Sequence, residues 1–141
     1  MNYIVRDYIN TDFPQIMNLW METDLSKPER GDNELTIKST LNLGGKLLVL
    51  EDSENKKILG TSWITTDGRR LYLHHFGIKP SHQGQKLSHM LLKASLDFAK
   101  KTNMQIKLEV HKDNFIANNL YENAGFKYLG DYKVLIIRKY T

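Results

Sequence analysis

The period with which apolar and polar residues alternate changes along the chain, and each change marks an element. Residues 3–9, Tyr-Ile-Val-Arg-Asp-Tyr-Ile, read as a strand. Phe13, Ile16, Met17 and Trp20 then recur at helical spacing, behind the cap-type residues Thr11 and Asp12 and with Pro14 in the first turn. The polar stretch 26–33 is a loop, followed by a short helix over 34–43 that Gly44-Gly45 stops. Strands are predicted over 46–51, 57–65 and 69–78; Asp67-Gly68 is a two-residue hairpin signal and Pro80 ends the meander. A long helix over 83–101 would bury Leu87, Met90, Leu91, Ala94 and Phe98 and turn Lys86, His89, Lys93, Asp97 and Lys100 outward. Residues 105–111 alternate as a strand, and a helix over 114–124 ends at Gly125. Strands at 126–129 and 132–139 would close the chain as a hairpin around Gly130-Asp131.

The predicted order is β-α-α-β-β-β-α-β-α-β-β. It belongs to the α/β to α+β class, with a mixed, mostly antiparallel sheet flanked by helices. The strand–helix–strand unit at 69–111 requires a right-handed crossover and parallel pairing. No internal boundary interrupts the 141 residues, so 1–141 reads as a single domain.

Composition removes several chemistries. The absence of cysteine rules out a disulfide framework, a thiolate nucleophile and a Cys-based zinc site. The five histidines show no chelating spacing, so no metal is expected. No apolar run approaches the ~20 residues of a membrane span, and the N-terminal residues lack signal-peptide grammar. A cytoplasmic protein is the expectation. Net charge is +4, but Lys79, Lys86, Lys93, Lys100, Lys101, Lys107 and Lys112 against Asp97 and Glu109 put +5 into one stretch. Such a stretch is either a solvated helix face or the footprint of a polyanionic partner.

Two segments carry candidate chemistry. At 76–88, Gly77 interrupts a strand, as at a bulge or a close backbone approach. Gly84 lies in a polar turn before the long helix, whose free N-terminal amides make an anion site flanked by Lys79 and Lys86. A lone glycine before a helix is also an ordinary turn. In the second segment Asn114, Ala117, Asn118 and Tyr121 share one helical stripe. That stripe can face a ligand crevice, or Asn114 can be a cap and Tyr121 a half-buried aromatic.

Together the segments resemble a known superfamily. Ile78-x-Pro80-x-x-Gln83-Gly84-x-x-Leu87-Ser88-x-x-Leu91-Leu92 resembles the acetyl-CoA signature of the GNAT N-acetyltransferases. Residues 108–126, Leu-Glu-Val-x-x-x-Asn-x-x-Ala-x-x-Leu-Tyr-x-x-x-Gly-Phe, resemble the segment that follows it in that superfamily. The element order matches as well, so the resemblance covers essentially the whole chain. It implies a GNAT-like fold and acetyl-CoA as co-substrate. Phe76, Gly77 and Ile78 would pair through their backbone with the pantetheine arm, and Gln83, Gly84, Gln85, Lys86, Leu87 and Ser88 would cradle the pyrophosphate. Asn114 and Asn118 would serve the cofactor, and Tyr121 would stand near the sulfur as general acid. Glu109 occupies the place of a base in the ribosomal-protein N-terminal acetyltransferases. One departure stands out: Lys86 replaces the family's inner glycine, which lets the backbone approach phosphate.

The implied reaction is direct attack of a primary amine on the thioester in a ternary complex. Neutralising an alkyl ammonium of pKa ~10.4 at pH 7 costs ~4.6 kcal/mol, and an α-amino group near 7.8 only ~1. The need for a base therefore depends on the substrate. Tyr121 is the first catalytic candidate, then Glu109, then His74, which strand alternation puts on the side of Tyr72 and Phe76, with His75 on the other. A non-catalytic acyl-CoA-binding module is the alternative. Nucleic acid ranks lower, because the lysines scatter over helix and strand without an aromatic–basic motif. The amine stays open among small amines, polyamines, amino acids and protein N-termini. Glu22, Asp24, Glu29, Asp32 and Glu34 would attract a cation or simply be solvated, and 134–137 is core or a homodimer seam.

Overall fold

Leu47, Leu48, Val49 and Leu50 are consecutive and all buried, which requires a strand covered on both faces. The computed structural model describes residues 2–26 and 30–140. Two compact units make up the chain, Met1–Leu108 and Glu109–Thr141. In the first, that buried run is β2 (Lys46–Asp52), inside a five-stranded sheet. Its neighbours in order are β1 (Tyr3–Asp7), β2, β3 (Lys57–Thr66), β4 (Arg70–Ile78) and β5 (Gln105–Leu108). Every pairing is antiparallel except β4 with β5, which is parallel. Helices α1 (Phe13–Glu22), α2 (Glu34–Asn42) and α3 (Leu87–Thr102) complete the unit.

Each face of the sheet has its own core. Ile16, Leu19 and Trp20 of α1 and Ile37 of α2 pack on Leu47, Val49, Ile58 and Trp63. Leu87 and Leu91 of α3 pack on Leu48, Leu50, Leu59 and Ile78. Fully burying each such side chain contributes on the order of 1.5–3 kcal/mol. Trp20 and Trp63 stack with centroids 5.5 Å apart. Their indole N–H groups donate to Thr61 Oγ1 at 2.8 Å and Thr40 Oγ1 at 2.9 Å, so neither polar edge is stranded in the core. At the rim Arg6 donates to both oxygens of Asp12, at 2.8 and 3.0 Å, and to Glu51 at 2.9 Å, tying the start of α1 to the sheet. Asp12 thus serves Arg6 and the Ile9 amide instead of capping α1.

α3 begins four residues later than its amphipathic pattern suggests, and its buried stripe is Leu87, Leu91, Leu92, Ser95 and Ala99, with Met90 exposed. Ser95 is apolar in effect. Its hydroxyl donates to the Leu91 carbonyl at 2.8 Å and accepts from Ser62 of β3 at 2.6 Å.

In the second unit α4 (Phe115–Asn123) is capped by Asn114, whose side chain accepts from the Ala117 amide. At its other end Gly125 takes a φ of +109°, and the amides of Gly125 and Phe126 bond the carbonyls of Glu122 and Tyr121. This is a Schellman closure, with the ring of Phe126 set edge-on to that of Tyr121 at 5.7 Å. The predicted order holds through α4, but residues 126–140 carry no strand. Alternation is a property of one segment, whereas a strand needs a ladder. Here the side chains of Val134, Leu135, Ile136 and Ile137 are exposed.

The hydroxyl pair gives a test. Ser95→Ala strips Ser62 of its acceptor and is expected to cost about 1–3 kcal/mol in urea unfolding, while Ser62→Ala/Ser95→Ala costs less than that single change. Simple additivity of the two substitutions would show that the bond does not link β3 to α3.

Candidate active site

The parallel ladder between β4 and β5 joins only 70–73 to 105–108. β5 ends at Leu108, so within the first unit β4 runs on from His74 to Ile78 without a β5 partner. β4 is also bulged on its other edge. Thr61 pairs with Gly77 and Trp63 with His74, so His75 and Phe76 together oppose Ser62 alone. His75 takes the left-handed conformation, φ +45°. The Thr61 hydroxyl, which accepts from Trp20, donates to the His75 carbonyl at 2.7 Å and holds the bulge.

The extra residue reverses the expected side-chain directions. Tyr72 and His74 do share a side, their rings stacked 5.9 Å apart, but Phe76 packs with the α3 cluster. His75 lies instead on the α1 side, with centroid distances of 4.5 Å to Trp20 and 5.0 Å to Trp63. The expectation that His75 opposes His74 is therefore corrected: a bulge inserts one residue and breaks the period of two. Gly77 was the visible trace. A Cβ there would stand 2.9 Å from Leu25 Cδ1.

His75 Nε2 lies 2.8 Å from Asp32 Oδ2, and the same oxygen accepts from Ser26 Oγ at 3.1 Å. Burial lowers the His75 pKa, against the raising influence of Asp32. Asp32 is thus a half-buried partner, unlike a solvated surface charge. Alternation and charge listing could not reveal this pair, because its members are 43 residues apart and meet only through the bulge.

The turn before α3 has the features of an anion cradle. Gly84 and Lys86 both have positive φ, +83° and +63°. No described residue accepts from the backbone amides of residues 84–88, which open the first turn of α3. Lys86 thus holds a left-handed conformation that glycine adopts without cost. Gln83 Nε2 ties the turn back to the Ile78 carbonyl at 3.0 Å, and Gln85 Oε1 accepts from Tyr3 at 3.4 Å. Leu87 is buried and Ser88 half-buried.

His74 is exposed, its Nε2 2.9 Å from Thr65 Oγ1. In the second unit Glu109 is exposed and Tyr121 buried; burial pushes the Tyr121 phenol up to about 12. Asn118 Nδ2 donates to the carbonyls of Asn114 at 2.8 Å and His111 at 3.0 Å, so it shapes the turn that starts α4. Of the basic stretch, Lys79 pairs with Glu22, Lys93 with Asp97, and Lys107 lies over the Tyr72 ring. Glu29 lies outside the described residues. Among the described residues no group of three or more His, Asp or Glu could hold a metal, and no helix is long and apolar enough to cross a membrane.

Comparison with known proteins places this geometry. The model of the acetyltransferase (GNAT) family matches residues 13–126. An acetyltransferase of Pectobacterium atrosepticum is 25% identical over 124 residues, 87% of this chain and 86% of its own length. An acetyltransferase structure from Streptococcus agalactiae superposes with a TM-score of 0.78 at 23% identity, over 96% of this chain and 90% of that one. A Clostridium acetobutylicum acetyltransferase solved with acetyl-CoA gives 0.74 at 17% identity, over 96% of each chain.

Lys86 supplies a test of the turn. Because only a Cβ-free residue takes the left-handed region without cost, Lys86→Gly is expected to exceed Lys86→Ala in unfolding free energy by about 1 kcal/mol. Equal stability of the two variants in urea titration would mean that residue 86 is not held there.

Proposed function

The chain belongs to the acetyltransferase (GNAT) family, and from that premise we propose that residues 1–141 act as one catalytic domain that transfers the acetyl group of acetyl-CoA to a primary amine. The observation that carries this reading is the bulged end of β4, which runs past the end of β5 into a turn with five open amides at the start of α3. An extended pantetheine arm can add to the 76–78 edge as a strand would, and a pyrophosphate suits the amides of 84–88. The residues present fit the co-substrate. Lys86 has the left-handed backbone the cradle needs, and its ammonium adds a positive charge beside it. The Clostridium structure with acetyl-CoA supports the same ligand class.

In the reaction the amine lone pair forms the new N–C bond, and the C–S bond breaks toward sulfur. A backbone amide of the 76–78 segment would stabilise the oxyanion. We assign Tyr121 to the leaving sulfur as a hydrogen-bond donor. With a phenol near 12, full proton transfer to a thiolate of pKa ~8.5 is uphill by about 5 kcal/mol. A shared hydrogen bond avoids that cost, and Tyr121 stays protonated throughout the physiological range.

Calorimetric titration with acetyl-CoA, followed by thiol-release assays on a panel of small amines, polyamines, amino acids and peptides, tests the function. Micromolar binding, about 8 kcal/mol, and turnover of at least one class are expected. No binding at millimolar acetyl-CoA would end the reading. Tyr121→Phe is expected to lower kcat about tenfold with little change in the KM for acetyl-CoA, and full turnover in that variant would remove the phenol from the mechanism.

A further inference from the structure

Direct attack needs the acceptor as a free amine, and the geometry of the first unit contains a group built to take its proton. We propose that His75, held at Nε2 by Asp32, is the general base for the acceptor amine and works through its open Nδ1. This rests on the acetyltransferase reading. Asp32 acts as the positioning residue.

Four observations carry the assignment. First, the imidazole projects from the bulge immediately before 76–78, the segment assigned to the pantetheine arm, and so stands one residue from the acyl-binding backbone. Second, the 2.8 Å contact with Asp32 fixes Nε2 as the protonated nitrogen and leaves the lone pair on Nδ1. No described residue bonds Nδ1, and that nitrogen is not sealed from solvent. Third, the pair is desolvated but not closed, with side-chain exposures of 13% for His75 and 10% for Asp32. Fourth, the ring packs against two indoles, Trp20 at 4.5 Å and Trp63 at 5.0 Å, which fix its place beside the bulge. His75 also keeps a left-handed backbone that a β-strand does not otherwise need.

The charged groups acting on the ring are Asp32, which favours its protonation, and Arg30, which opposes it. Burial outweighs Asp32 and keeps His75 below its ordinary value, neutral and basic at pH 7. The proton balance closes. An ammonium proton passes to Nδ1, and the freed lone pair attacks the thioester carbon. As the C–S bond breaks, a second proton leaves the nitrogen and ends on the thiol. His75 then returns its proton to water, so one proton is released per acetamide formed.

The test uses acetyl-CoA with ethanolamine, spermidine, lysine and an alanyl hexapeptide, and follows the fastest of these from pH 5 to 9. For the wild type kcat/KM is expected to rise with pH through an ionisation below about 6.5, as neutral His75 becomes available. His75→Asn, which tolerates the left-handed backbone, should lower kcat ~100-fold and abolish that ionisation, with the KM for acetyl-CoA unchanged. Asp32→Asn should lower kcat ~10-fold and move the same limb to lower pH, a shift that an ionisation of the amine would not show. Should His75→Asn fail to fold by thermal melting, the limb shift in Asp32→Asn decides the matter. An unshifted profile with rates within threefold of wild type overturns the base alone. Acetyl-CoA binding without turnover of any probe overturns the transferase reading and the base with it.

Discussion

Between the pairs Thr61–Gly77 and Trp63–His74, β4 carries one residue more than β3, and the side-chain directions at the end of β4 follow from that excess. The bulge sends two successive histidines to the same side of the sheet. It also returns Phe76 and Ile78 to the α3 core, so the strand stays anchored beyond the end of β5. The bulge is held by side chains, since Trp20 donates to Thr61 and Thr61 donates to the His75 carbonyl. The α1 core therefore fixes the shape of β4 by hydrogen bonds as well as by packing.

The same core explains how a histidine and an aspartate are accommodated in a half-buried place. Removing a charge from water is unfavourable unless it is paired and hydrogen-bonded. Asp32 meets this with His75 and Ser26, and the two indoles cover the imidazole without offering it a polar partner. The outcome is a neutral, oriented imidazole beside an anchored backbone. Tyr121 shows the complementary case in the second unit: burial makes the phenol a poorer acid.

Lys86 departs from the family pattern in residue type and takes a backbone conformation that glycine adopts without cost. The inner glycine of the pattern matters for its backbone, and Lys86 occupies the left-handed region at the start of α3. Cβ strain of order 1–2 kcal/mol is tolerable in a domain of this size when the turn is fixed on both sides. Gln83 is bonded to the Ile78 carbonyl and Leu87 is packed in the core, so the turn has little freedom to relax.

The sequence by itself determined the helices that pack on the sheet, the antiparallel meander, the parallel crossover and the two motifs that mark the family. All of these are written in local periods and fixed spacings. It also placed Gly125 at the end of α4 and pointed to irregularity near Gly77. Only the tertiary structure decided which face each residue of β4 presents after His74, because a single inserted residue inverts every later position. It likewise decided that Asp32 belongs with His75, that Ser95 belongs in the core with Ser62, and that 126–140 forms no strand. Each of these depends on a partner distant in the chain, and neither the spacing nor the composition of one segment records what will stand opposite it.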